Sequence, residues 1–197
     1  MEVIETGSDL REVYPRIFVG GQSACRAGSG DHAVVHACKS PCHQSAVGYR
    51  GSLPAEDPHY LALAGDNDLW LNLIDPPVPL FQAESFTRFL AFAAQRLDGG
   101  ATVTIHCNQG ESRSASLALL LLARHVRVLA QESFAAARAD YLRLDPRYRP
   151  GAGIARFLEE HWAALGCVCP RCGPGNGCAG DFLRGCRRGG EFVVQRD

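Results

Sequence analysis

The apolar residues of this chain fall into short blocks whose spacing switches between the two-residue period of a strand and the 3.6-residue period of a helix. Val13-Tyr14-Pro15-Arg16-Ile17-Phe18-Val19 reads as a strand that ends at the glycine pair Gly20-Gly21. His32 to Ala37 reads as a second strand, and Leu69 to Ile74 as a third, closed by Asp75-Pro76-Pro77. From Ala83 to Leu97 the residues Phe86, Phe89, Leu90, Ala93 and Leu97 recur at helical spacing opposite Arg88, Gln95 and Arg96, and Asp98-Gly99-Gly100 supplies the stop. Ala101 to Ile105 has the small and β-branched residues of a buried strand, and Ser114 to Ala123 is an almost unbroken apolar helix. Two more helices are expected, over Gln131 to Leu144 and Ile154 to Leu165, on either side of the breaker Asp145 to Gly151. Cys38 to Asp68 sustains no period and is expected to be mainly loop, with one helical turn near Pro58 to Leu63. Strands alternating with helices predict an α/β fold, a central, mostly parallel sheet of four to five strands flanked by helices.

Composition changes this picture only at the C-terminus. With 197 residues and a formal net charge of −1, the chain suits one domain of ordinary size and shows no bulk attraction to nucleic acid or to a membrane surface. Residues 1–165 are expected to form that domain and residues 166–197 a Cys-, Gly- and Arg-rich tail. The acidic start Met1-Glu2-Val3-Ile4-Glu5 lacks an apolar leader, and the run Leu117 to Ala123 is too short for a bilayer, so a soluble, cytoplasmic monomer is expected. In that compartment the nine cysteines are thiols, catalytic groups or metal ligands and not a disulfide framework.

The chemistry concentrates between the strand at Ile105 and the helix at Ser114. Cys107 and Arg113 stand at the two ends of the turn Cys107-Asn108-Gln109-Gly110-Glu111-Ser112-Arg113, at a strand's C-terminal end and a helix's N-terminus. Unpaired amides of a first helical turn and the helix dipole favour an anion there. Gly110 permits the tight backbone path in mid-turn. The same dipole and a neighbouring guanidinium lower a thiol's pKa, which makes Cys107 a candidate nucleophile. Arg113 can grip two oxygens of a phosphoryl group with its planar fork, and Ser114 can donate a hydrogen bond to the sulfur. Asn108, Gln109, Gly110, Glu111, Ser112 and Arg113 are then the expected substrate cradle. The competing reading, a buried strand-end cysteine beside a surface arginine, explains an isolated pair and not this whole constellation. His106 reads as a hydrogen-bonded support of the loop.

The stretch His106-Cys107-x2-Gly110-x2-Arg113-Ser114 resembles the signature loop of the cysteine-dependent protein tyrosine phosphatases, in particular the compact dual-specificity branch. Val13-Tyr14-Pro15-Arg16-Ile17-Phe18-Val19-Gly20 is similar to the opening strand of that branch, so the resemblance spans Val13 to Leu165. It implies a parallel-dominated sheet with helices, hydrolysis through a phosphocysteine, and no metal or other cofactor. Such hydrolysis wants a general acid on a nearby loop. Asp75 follows a strand and precedes Pro76, which holds it in an extended loop, and its position 32 residues ahead of Cys107 (107 − 75) resembles the branch's spacing. Asp-Pro-Pro is also a plain turn signal, and Asp68 and Glu84 are the alternative acids. Glu111 and the absence of lysine from the turn disfavour substrates with crowded phosphates and point to phosphoproteins carrying phosphotyrosine, phosphoserine or phosphothreonine. A phosphopeptide-binding pseudophosphatase is the second reading, and sulfur transfer or arsenate reduction a third.

The remaining cysteines offer further chemistry. His36, Cys38, Cys42 and His43 are four metal-ligand types in eight residues, and Cys167, Cys169, Cys172, Cys178 and Cys186 lie in the tail. Ordinary structural side chains for the first group and a flexible tail for the second stand against structural zinc in each. Cys25 or Cys38 can also be drawn as a disulfide partner for Cys107 under oxidation.

Overall fold

A computed structural model of the protein describes residues 9–166. Six strands form one mixed sheet: β1 (Arg11–Tyr14), β2 (Ile17–Gly20), β3 (His32–His36), β4 (Ala62–Ala64), β5 (Asp68–Leu71) and β6 (Thr102–His106), in the order β1-β2-β6-β3-β5-β4. The four inner strands β2, β6, β3 and β5 run parallel, and the edge strands β1 and β4 are antiparallel to their neighbours. The helices are α1 (Gln44–Val47), α2 (Ala83–Asp98), α3 (Arg113–Leu121), α4 (Phe134–Leu144) and α5 (Ala152–His161).

The sequence periods account for the inner strands and the long helices. The apolar face expected of the first long helix is buried in α2, whose residues Phe86, Phe89, Leu90, Ala93 and Leu97 pack against β3, β5 and β6. Its C-terminus turns through Gly100 at φ 88°, a left-handed conformation suited to glycine. Every residue of α3 is buried, and the helix packs against β2 and β6 with α4 and α5 on its outer side. The Phe86 and Phe157 rings stack at 4.8 Å and fasten α2 to α5. Each ring buried in this way contributes about 1.5–3 kcal/mol. Ser133 caps α4, its Oγ accepting from the Ala136 amide at 3.1 Å, so this helix starts at Phe134 and not at Gln131.

Three expectations are revised. The opening strand is two, because Pro15-Arg16 turns the chain with Arg16 at φ 67° and folds β1 back on β2. The stretch from Cys38 to Asp68 is mainly loop, as expected, but it is more structured than one helical turn. It holds an irregular turn at Lys39–His43, the single turn α1 and the strand β4, where a helical turn had been expected. An edge strand of only three residues has no room to display a period. The predicted helix from Ile154 begins at Ala152 and ends at His161, followed by a short turn at Ala164–Gly166. Among the described residues no helix is long and apolar enough to cross a membrane. The tail cysteines lie outside the described residues.

Candidate active site

Parallel pairing sets the site. β6 lies between β2 and β3, and its register with β2 places Gly20 beside His106. The next residue, Cys107, donates its amide to the Gly20 carbonyl at 3.2 Å, and its side chain is only 2% exposed. The chain then turns over the end of β2. Gly110 sits at φ 79°, and a Cβ there would stand 2.8 Å from both Gly20 C and Gly21 N, so glycine is required by backbone angle and by space alike. The glycine pair that closes β2 is thus the floor of the loop.

Cys107 Sγ lies 3.3 Å from Ser114 Oγ and accepts from the Gly110 amide at 3.3 Å. Burial opposes ionisation of this thiol. The Ser114 hydroxyl and amide, the Arg113 charge and the Gly110 amide outweigh burial and hold its pKa below the usual cysteine value. Ser114 Oγ is also within 3.4 Å of the Gly20 carbonyl.

Arg113 is buried with its guanidinium fixed from several sides. Nη1 donates to the Ala37 and Leu73 carbonyls at 3.2 and 3.0 Å, and Nη2 donates to Asn108 Oδ1 at 2.6 Å. Its Nε makes no hydrogen bond among the described residues and lies 3.8 Å from Asp75 Oδ2. Asp75, Pro76, Pro77, Asn108, Gln109, Arg113, Gly151 and Ala152 enclose a cleft of about 530 Å³. The expected acid and the expected anion holder therefore face one space. The fallback acids do not: Asp68 accepts from His36 and from the Gly28 amide, and Glu84 pairs with Arg88 on the exposed side of α2.

The other cradle residues divide by what they touch. Asn108 braces Arg113 and donates through Nδ2 to the Ser40 carbonyl at 3.0 Å. Gln109 is exposed on the cleft rim. Ser112 Oγ accepts from the Gly151 amide at 2.9 Å, and the Glu111 carbonyl accepts from the Arg149 amide at 2.9 Å. Ser112 and Glu111 thus tie the loop to the segment before α5.

Several residues that hold the site in place escaped the sequence reading. Arg11 Nη2 donates to the Gly110 carbonyl at 2.8 Å while the same guanidinium forms two bonds, of 2.8 and 2.6 Å, with fully buried Asp145. Gly151 has no room for a Cβ beside Asp75 Oδ1, and Gly153 none beside the Pro76 and Val78 carbonyls, so Gly151-Ala152-Gly153 forms a close wall behind the acid loop. The sequence marked this stretch only as a helix breaker.

The four-residue metal hypothesis is also redrawn. His43 turns away, Nδ1 to the Tyr49 hydroxyl at 3.0 Å and Nε2 to the His59 carbonyl at 2.8 Å. Cys25 and Cys38, the two thiols considered as partners for Cys107, are both turned towards Cys42, with Cys25 Sγ at 3.6 Å from Cys42 Sγ. His106 is buried and makes an unexpected contact, with Nε2 2.7 Å from His36 Nδ1.

No protein-family model matches this chain, and no curated protein matches it. Solved structures do. Human DUSP28 is 20% identical, with 80% of this chain and 95% of that chain covered at a TM-score of 0.53. A mouse putative dual specificity phosphatase is 18% identical, covering 84% and 93% at a TM-score of 0.57. The human tyrosine phosphatase-like serine/threonine/tyrosine-interacting protein is 20% identical, covering 79% and 96% at a TM-score of 0.50. The chain therefore has the fold of the cysteine-dependent protein tyrosine phosphatases. Its form is the compact one seen in the dual-specificity phosphatases.

Proposed function

We propose that the protein is a phosphoprotein phosphatase that hydrolyses monoesters of tyrosine, serine or threonine through a phosphocysteine. The observation that carries this reading is that the carboxylate of Asp75 and the fixed guanidinium of Arg113 line one cleft, at the loop that also holds Cys107, whose thiol is kept below its usual pKa. Cys107 thiolate attacks phosphorus, and the P–O bond to the leaving group breaks as Asp75 gives that oxygen its proton. Arg113, with Nε free to donate, holds the phosphoryl oxygens in the transition state. A water, deprotonated by the same Asp75, then attacks the phosphocysteine and releases inorganic phosphate, while Ser114 stabilises the departing thiolate. Asn108 and Ser112 act by positioning Arg113 and the loop.

Arg113 is the sole cationic side chain lining the cleft among the described residues, beside a carboxylate. That balance favours a single phosphoryl group on a protein over a ligand with several phosphates. A nucleophilic thiol that must stay reduced suits the cytoplasm, and we read the protein as a monomer whose residues 1–165 act without the tail.

A binding-only reading is favoured by one observation: one of the solved structures with this fold is that of a tyrosine phosphatase-like serine/threonine/tyrosine-interacting protein. Steady-state hydrolysis of an aryl phosphate and of phosphopeptides by the full chain separates the two. Turnover that disappears in Cys107→Ser supports the phosphatase. Phosphopeptide binding by calorimetry without turnover would establish the binding protein instead.

A further inference from the structure

We propose that Cys25, His36, Cys42 and His106 form a tetrahedral zinc site behind the loop of the nucleophile. Their ligand atoms all lie within 4.8 Å of one another. Zinc binds sulfur at about 2.3 Å and imidazole nitrogen at about 2.0 Å, so the edges of a Cys2His2 tetrahedron measure roughly 3.3 to 3.8 Å. Cys25 Sγ lies 3.6 Å from Cys42 Sγ and 3.6 Å from His36 Nδ1, both within that range. The His36 Nδ1 to His106 Nε2 separation of 2.7 Å has to open by about half an ångström, a small rotation of two rings.

The fold presents these four groups together. His36 and His106 are register partners at the ends of the adjacent parallel strands β3 and β6, so both side chains leave the sheet at one level. Cys42 comes from the turn after β3, and Cys25 from the loop after β2. His36, Cys42 and His106 are buried, whereas Cys25 is exposed and leaves the ion a way in.

Contacts at the far ring nitrogens favour the ligating tautomers. His36 Nε2 faces Asp68 Oδ1 at 3.0 Å, and Asp68 is itself fixed by the Gly28 amide at 2.8 Å. A carboxylate that takes one ring N–H leaves the other nitrogen as a lone pair for metal. His106 Nδ1 faces the Cys107 carbonyl at 3.4 Å, which leaves Nε2 free in the same sense. With both rings in those tautomers, two lone pairs oppose each other at 2.7 Å, an arrangement that a cation between them relieves. Trp70 stacks on His36 at 5.2 Å and fixes its plane.

Binding converts two thiols and two neutral imidazoles into a zinc dithiolate with two imidazoles and releases two protons, and the two thiolates neutralise Zn2+. All four positions are filled by protein, so the ion is structural. It would hold the ring of His106, whose neighbour is Cys107, and so act as a brace for the loop, separate from the reaction itself.

The test uses the full chain with the five tail cysteines Cys167, Cys169, Cys172, Cys178 and Cys186 changed to serine, which removes tail binding. Native mass spectrometry and elemental analysis of protein made with zinc should give one zinc per chain. Adding Cys25→Ser and Cys42→Ser should take that to none. Replacing zinc by cobalt should give the visible bands of a tetrahedral ion with a thiolate charge-transfer band. A chain without metal, zinc that survives loss of Cys25 and Cys42, or a Cys25–Cys42 disulfide in place of metal overturns the proposal. Should the doubly substituted chain fail to fold, the cobalt spectrum decides alone: a spectrum without thiolate charge transfer overturns it. Metal content is read without turnover, so a catalytically silent chain holding one zinc would count against the phosphatase and leave this site standing.

Discussion

Gly151→Ala isolates the placement of Asp75, the proposed acid, from every other feature of the site. Gly151 has φ −59° and ψ 152°, which alanine adopts without strain, so the backbone has no objection to the change. The objection is local. The new methyl would stand 2.5 Å from Asp75 Oδ1, whereas ordinary contact begins near 3.4 Å, so the carboxylate must retreat by about 0.9 Å (3.4 − 2.5). A misplacement of about 1 Å in a reacting group can cost on the order of 10²-fold in rate, or about 2.7 kcal/mol of barrier. We expect kcat/KM on phenyl phosphate, whose phenoxide needs a proton, to fall by about 100-fold. On 2,4-dinitrophenyl phosphate, whose leaving group departs as the anion, the fall should be small, and thermal stability should hardly change. Asp75→Asn should show the same dependence on leaving group, and adding Gly151→Ala to it should do little more, because the two act through one carboxylate. Equal losses on both esters, or a further 100-fold loss in the Asp75→Asn background, would refute the assignment of Asp75 as the acid that Gly151 positions.

Three further outcomes follow from the same contacts. Asn108→Ala removes the 2.6 Å brace on Arg113 Nη2 and should weaken inhibition by inorganic phosphate by about 10- to 100-fold, in line with the 1.5–3 kcal/mol typical of a hydrogen bond to a charged group. The Cys107 thiolate is favoured by folding, so its contribution to stability is present above the unfolded thiol's pKa and is lost as pH falls through the lower folded value. Iodoacetate alkylation of Cys107 should therefore have its midpoint below that of a free thiol, and Ser114→Ala, which deletes the 3.3 Å contact, should move the midpoint up. An unmoved midpoint would remove Ser114 from this role. Arg11→Met strands the buried carboxylate of Asp145 and should cost about 3–5 kcal/mol in urea denaturation, a loss that a merely superficial ion pair would not give.

The sequence displayed whatever rests on local period or local spacing. β6, α2, α3 and the turn between Cys107 and Arg113 are each written in consecutive residues, and they lie where their patterns predict. β1 was hidden because Pro15-Arg16 looked like the middle of one strand, and β4 because three small residues carry no pattern. The supports of the loop were hidden for a different reason. Arg11 meets Gly110 across 99 residues and Asp145 across 134, and no residue near Arg11 announces either partner. The cluster around His36 shows the same limit, since sequence proximity nominated His43 and Cys38 while strand register brought in His106 and the loop after β2 brought in Cys25.

The ties from Arg11, Asp145 and Gly151 to the loop also fix an order of events during synthesis. A ribosome that has released the chain as far as Leu121 has already made Cys107, Arg113 and α3. It has not yet made Asp145, which orients Arg11 beneath Gly110, or Gly151, whose amide fastens Ser112. The nascent chain therefore carries the turn from Cys107 to Arg113 without these two braces until Gly151 has been made, and the braced loop is a property of the finished domain.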